Sequence, residues 1–328
     1  MKKLLHSLLL LLAAVIWGVT FVAQSDAMSL IEPFTFNFIR FAIGSIVLLP
    51  FVFIDAGKRK MERAQISEPP QKKSGLLLAS LLCGTMLFAA SSFQQHGIAL
   101  GDSVGKAGFI TSLYIILVPM IGMLFKQKAS PIVWVAAIIS LAGLYFLCVK
   151  KEAAFEVSDL LYLACAVFFA IHIILIAKFA PDISGTTLST AQFAVASALS
   201  GICMLIFEKP NINNILGAYT SLLYAGVLAC GVAYTLQIVG QKHLNPTAAS
   251  LIMSLESVVS ALAGMIILKQ MLSAREVCGC IIMFTACILA QLPAKKQKAA
   301  KSLNILRTVA NKSFAEYHTM CELTSRYL

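Results

Sequence analysis

Charge is scarce in this sequence. Of 328 residues only 12% are charged, against 59% hydrophobic, and the mean hydropathy is +0.85. No soluble domain needs that much apolar surface, so the composition is that of a polytopic membrane protein. Catalytic signatures are missing too: there is no HExxH, no GxSxG and no Walker A phosphate loop. The last absence argues against work driven by ATP on this chain alone. Nine cysteines are an odd number with no extracellular cluster, which argues against a disulfide framework. Most of them, such as Cys83, Cys165 and Cys230, lie inside apolar runs and read as small packing residues. Cys278 and Cys280 flank a single Gly, which is neither a zinc nor a redox spacing. No metal or cofactor is expected. The formal charge of +11 would suggest nucleic acid in a soluble protein. Here the basic residues sit in short loops and at the C-terminus, where membrane topology explains them and no nucleic acid is called for.

What the sequence has in abundance is long apolar runs. A span needs about 20 residues. Ten candidates meet this, at roughly 4–24, 34–54, 75–97, 104–125, 131–149, 158–179, 186–207, 215–240, 246–268 and 275–293. The first follows Met1-Lys2-Lys3 and runs on past Trp17 to Ala23, too far for a signal peptide, so it reads as a span. Ten spans put both termini on one side. With that side cytoplasmic, the outer face receives only Lys106, Lys150, Lys151, Lys209, Lys269 and Arg275. Most of the other Lys and Arg, including those of the 55–74 connection and of the tail, fall inside, as the positive-inside rule requires.

The chain also lies over itself. At one constant shift Trp17 meets Phe169, Thr20 meets His172, and Arg40-Phe41 meets Gln192-Phe193. Further on, Phe93-Gln94 meets Leu236-Gln237, and Lys126-Gln127 with Ser130 meets Lys269-Gln270 with Ser273. Spans four and nine align to within one residue, which puts Leu113 or Tyr114 opposite Glu256. Five spans is an odd number, so the second copy enters the membrane from the other side, as an inverted repeat. The expected fold is all-α, with ten transmembrane helices in two inverted five-helix repeats. Residues 1–150 form the first, 151–293 the second, and 294–328 a basic cytoplasmic tail.

Several segments now read together. WGVTFV in span one, FNFIRF opening span two, FQQHGIAL ending span three, GKAGFITSLYIILVP in span four and YTLQIVGQKHLNPTAASLIMSLES across spans eight and nine resemble the drug/metabolite transporter superfamily. More specifically they are similar to its ten-span branch of paired EamA domains, over about residues 8 to 292. The resemblance implies a bacterial inner-membrane exporter or permease for metabolites, amino acids and related small molecules. It also implies a central cavity lined by spans one to four and six to nine, with spans five and ten peripheral. Two positions depart from the family's habit. Gln127 and Gln270 stand where it often has Glu, and Ser257 stands where a Pro often follows the carboxylate of span nine.

Polar groups at membrane depth supply the candidate site. Glu256 is the foremost, because a charge at a helix centre costs roughly 2.5–3.5 kcal/mol on insertion scales. It either binds a cationic group of the substrate or takes up and releases a proton as the site alternates. The bland alternative is a structural partner for Arg40, or a helix cap in a wet vestibule. Arg40 shares a helix face with Asn37 and either contacts an anionic group or snorkels to the surface. Tyr234, Gln237 and Gln241 share a face of span eight, and Gln94 is the counterpart of Gln237 in the first copy. Gln94 and Gln237 read as cavity lining. Trp17 is cavity wall or packing, evenly. His172 reads more as a hydrogen-bonded packing residue than as a relay. Gly97, Gly101 and Gly105, and Ser260 with Gly264, read as close helix contact.

The expected partners are therefore a small-molecule substrate and the lipid bilayer, with a homodimer left open. The expectation is a secondary transporter and not an enzyme. Two other classes stand beside it: an intramembrane enzyme acting on lipid, and a membrane scaffold with no transport of its own.

Overall fold

Every regular element of the computed structural model is helical. It describes residues 2–66, 74–101, 104–124, 131–148, 156–267 and 273–291, and no strand occurs among them. The tail at 294–328 and the pairs at Lys126, Gln127, Ser130, Lys269 and Gln270 lie outside or at the edge of the described residues. The helices are α1 (Lys2–Met28), α2 (Pro33–Ile66), α3 (Ser74–Leu100), α4 (Val104–Thr111), α5 (Tyr114–Leu124), α6 (Pro131–Cys148) and α7 (Val157–Phe179). Then follow α8 (Gly185–Phe207), α9 (Ile212–Gly217), α10 (Tyr219–Leu223), a π-helical stretch (Tyr224–Tyr234), α11 (Thr235–Gln241), α12 (Pro246–Met253), α13 (Glu256–Ile267) and α14 (Ala274–Gln291).

Eight of the described segments are long and apolar enough to cross a membrane, and Pro131–Phe146 is a shorter apolar helix. Their exposed surface is studded with large apolar side chains, among them Leu77, Leu124, Leu205 and Phe207, as a lipid-facing surface requires. Prolines mark the helix starts. Pro33, Pro131 and Pro246 each occupy the first turn, where a missing N–H costs nothing. Asn245 caps α12 by accepting from the Thr247 N–H at 2.9 Å.

Three expected single spans are not continuous α-helices. Span four is broken between α4 and α5 at Ser112 and Leu113, and span nine between α12 and α13 at Ser254 and Leu255. At both breaks the backbone tightens to i→i−3 bonds, Leu113 N–H to the Ile110 carbonyl and Leu255 N–H to the Ile252 carbonyl. In span nine the Ser254 hydroxyl also donates to the Leu251 carbonyl at 2.9 Å, competing with the helical ladder. Span eight is π-helical through its middle.

The α2/α8 pair is tied at both ends by acids. Glu208, which caps α8, accepts from the Phe34 N–H at 2.6 Å, the Thr35 N–H at 2.7 Å and the Thr35 hydroxyl at 2.8 Å. It thereby satisfies the orphan donors at the start of α2. At the other end Asp55 on α2 accepts from the Ser184 and Thr186 hydroxyls, at 2.8 and 2.6 Å, at the start of α8. Between the two ties Phe41 stacks on Phe193, ring centroids 5.9 Å apart.

Glycines set how closely the helices approach. A Cβ on Gly84 would fall 2.6 Å from Val195 Cβ and 2.8 Å from the Gln192 carbonyl oxygen. On Gly226 it would fall 2.6 Å from Ile43 Cβ and 3.2 Å from the Arg40 carbonyl oxygen. Gly97 lies against the Tyr162 ring and Gly240 against Leu10. Gly84→Ala and Gly226→Ala are each expected to destabilise the protein by about 1–3 kcal/mol through overpacking. Gly57→Ala, where a Cβ meets nothing within 4 Å, should cost nothing. Unfolding of the purified variants in detergent checks this, and equal midpoints for all three would contradict it.

Candidate functional site

One cavity brings most of the membrane-depth polar groups together. It holds about 540 Å³ of empty space, its mouth included. Its lining comes from Trp17, Thr20, Phe21 and Gln24 of α1, Arg40 of α2, Gln94 of α3 and Tyr114 of α5. From the second half come Phe169 and Ile173 of α7, Ala229 and Tyr234 of the π-helical stretch, Gln237 of α11, Met253 of α12 and Glu256 of α13. Neither α6 nor α14 contributes, in keeping with a peripheral place for spans five and ten. Nor does α8, although span seven was expected to line the cavity.

Arg40 is 4% exposed, its guanidinium 5.2 Å from the centre of the Phe36 ring and 4.8 Å from that of Phe41. The rings hold it by cation–π attraction on one side and leave its charge to the cavity. Its Nε has no hydrogen-bond partner among the described residues. Glu256 is 7% exposed and accepts from the Tyr114 hydroxyl at 2.9 Å through Oε1. Both residues line the cavity, yet the Glu256 carboxylate bonds to no side chain but Tyr114 among the described residues. The reading of Glu256 as Arg40's structural partner therefore finds no bond to support it among the described residues.

The rest of the wall is amide and aromatic. Gln24 Nε2 donates to Gln94 Oε1 at 3.3 Å and to Gln95 Oε1 at 3.1 Å, joining α1 to α3. Gln237 is 2% exposed, and its Oε1 has no partner among the described residues. Trp17 and Tyr234 meet edge to face, centroids 4.8 Å apart, and the Trp17 Nε1 likewise has none among them. Amide, phenol and charged side chains on one wall suit a polar solute or water.

Two of the expected site residues stand outside this cavity. His172 is fully buried behind Tyr234, with its Nε2 3.0 Å from Gln192 Oε1, so it packs and bonds within the bundle. Asn37 is also fully buried, away from the cavity wall, with both amide atoms unpartnered among the described residues. It shares a face with Arg40, but only the longer side chain reaches the cavity. Gln241 does not line it either, because the 234–241 face is long enough to leave the cavity at its far end. Gly97 and Gly101 pack against Tyr162, as close helix contacts should.

Sequence reasoning missed Gln24 and the role of Tyr114. Gln24 was legible: Trp17, Thr20, Phe21 and Gln24 follow i, i+3, i+4, i+7 on one face of span one. Tyr114 was placed opposite Glu256 in the repeat, but only as a position without an acid.

A profile of the EamA-like transporter family matches residues 4–149 and again 157–292. The chain belongs to that family and is a multi-pass membrane protein. It is 29% identical to an uncharacterised transporter of Archaeoglobus fulgidus over 293 residues, 89% of this chain and 87% of that one. It is 27% identical to the uncharacterised transporter YwfM of Bacillus subtilis, over 93% of this chain and 100% of that one. A solved crystal structure superposes with a TM-score of 0.70 at 18% identity, covering 88% of this chain and 99% of the other, and so shares the fold.

The sequence holds two tryptophans, and only Trp17 lines the cavity. In a Trp134→Phe variant, a solute that enters the cavity should therefore shift or quench the Trp17 emission. A transported solute that leaves the emission unchanged would place its path elsewhere.

Proposed function

We propose that this protein is a secondary transporter that moves a small zwitterionic solute, an amino acid or a close relative, across the cytoplasmic membrane by alternating access. The observation that carries the reading is the shared cavity of Arg40 and Glu256, which form no ion pair with each other. A solute with a carboxylate and an ammonium supplies the missing counter-charge to each. Arg40 offers a planar fork to the carboxylate. Glu256 offers an oxygen to the ammonium, or exchanges a proton for it when the cavity changes sides. The amides of Gln24, Gln94 and Gln237 and the rings of Trp17 and Tyr234 would hold what lies between.

The architecture in this reading is ten spans in two inverted repeats, 1–150 and 151–293, with both termini cytoplasmic. Reciprocal contacts support it. Gly84 meets Val195 and the Gln192 carbonyl, while Gly226 meets Ile43 and the Arg40 carbonyl. Arg40 and Gln192 are repeat counterparts, and so are Ile43 and Val195, so the two contacts are one contact made twice. Phe41 and Phe193, also counterparts, stack on each other. Reciprocal and self-paired contacts are what a two-fold relation produces, and five spans per copy turn that relation into an inversion.

Proteoliposomes test the function. A pool of labelled L-amino acids should be taken up above protein-free vesicles, and an imposed pH gradient should change the rate. Glu256→Gln and Arg40→Gln should each lower uptake about tenfold or more, the scale of a lost charged hydrogen bond. Arg40→Lys should retain part of the activity, because it keeps the charge and loses the fork. Undiminished uptake by Glu256→Gln would remove that residue from the mechanism.

A further inference from the structure

The two helix breaks face each other. Ser112 and Leu113 interrupt span four just before Tyr114, and Ser254 and Leu255 interrupt span nine just before Glu256. Three side-chain bonds cross between them. Tyr114 donates to Glu256 Oε1 at 2.9 Å. The Ser112 and Ser257 hydroxyl oxygens are 2.7 Å apart. Ser257 donates to the Gly108 carbonyl at 3.2 Å, so the proton in the bond between the two serines comes from Ser112. A hydroxyl has one proton to give.

From this seam we infer that Tyr114 is the positioning residue for Glu256. It ties down Oε1 and leaves Oε2 as the oxygen presented to the cavity. Glu256 lines the cavity together with Tyr114, Oε1 has one donor, and among the described residues Oε2 has no partner and is not among the sealed polar atoms. Without its tie the carboxylate is free to turn about its own side chain. A fixed carboxylate offers its free oxygen in one direction, which lowers the ordering cost of binding a cationic group. Tyr114 is itself 4% exposed and packs in one apolar cluster with Val118, Ile173 and Met253, which holds its ring in place. That the presented oxygen meets solute rests on the transport reading; that Tyr114 holds Glu256 does not.

The two claims separate in one set of variants of the full chain in lipid. Dicyclohexylcarbodiimide, a hydrophobic carbodiimide that modifies carboxyls at membrane depth, is followed at Glu256 by peptide mass. Tyr114→Phe keeps the ring and frees Oε1, so modification of Glu256 should speed up about threefold or more. Ser112→Ala cuts the neighbouring bond of the seam and should leave the rate unchanged. Should Tyr114→Phe fail to fold, trifluorotyrosine at the same position, a stronger donor on the same ring, should slow modification instead. Equal rates in the wild type and in whichever of these folds would overturn the assignment. In the uptake assay with labelled amino acids, Tyr114→Phe should raise KM about tenfold and leave Vmax within about twofold. A fall in Vmax at unchanged KM would overturn the claim that the held carboxylate faces solute. Faster modification alongside normal uptake by Glu256→Gln would uphold the positioning and remove Glu256 from the transport mechanism instead.

Discussion

No water is at hand in hydrocarbon to repair an unpaired polar group, and each such group costs several kcal/mol. This constraint sorts the side chains of the whole bundle. Several polar groups that serve the fold are paired: Glu208 and Asp55 take the first donors of α2 and α8, and His172 Nε2 meets Gln192 Oε1. Trp17, Arg40 and Gln237 line the cavity, and each keeps one buried polar atom without a partner among the described residues. Asn37 and Gln241 are exceptions: both are buried, neither lines the cavity, and in each both amide atoms lack a partner among the described residues.

The ties on α2 and α8 bear on how such a bundle moves. In the proposed repeat these helices belong to different copies, yet acids bind them at both ends and an aromatic stack joins them between. Two copies rocking as rigid halves would have to break all three. The breaks in spans four and nine and the π-helical stretch of span eight offer softer places to bend, and all three reach the cavity through Tyr114, Glu256 and Tyr234. Alternation that bends these spans around a fixed α2/α8 strut requires fewer bonds to break.

Most of the fold was legible, because hydrophobic runs of bilayer length carry it and survive without any knowledge of packing. The helix breaks were not. Ser112 and Ser254 look like ordinary small residues in apolar runs, and only their hydroxyl bonds in three dimensions show what they interrupt. The site was legible as far as cost goes: Glu256, Arg40, Gln94 and Gln237 are expensive at membrane depth and do converge on the cavity. The same reasoning gathered His172 and Asn37, since cost alone does not tell a cavity wall from a buried bond. It passed over Tyr114, whose ring is inexpensive in a membrane and whose importance lies in one hydroxyl.

Spans three and eight differ by one residue. Gly84 and Gly226 make matching contacts, and so do Gly97 and Gly240, yet the proposed second copy has one residue more between its pair than the first. The surplus falls where span eight is π-helical, at Tyr224–Tyr234. A π turn closes its hydrogen bond over one more residue than an α turn, so it absorbs an extra residue and returns the helix to register. Gln237 thus stays in phase with Gln94, and both line the cavity. Tyr234, at the end of the π turn, reaches across to Trp17. The price is a stretch with poorer hydrogen bonding in the cavity wall. It falls in the second copy alone, the copy that also carries the acid. In the proposed repeat, then, the extra residue and the acid both fall at the cavity, while the glycine contacts between helices recur in both halves.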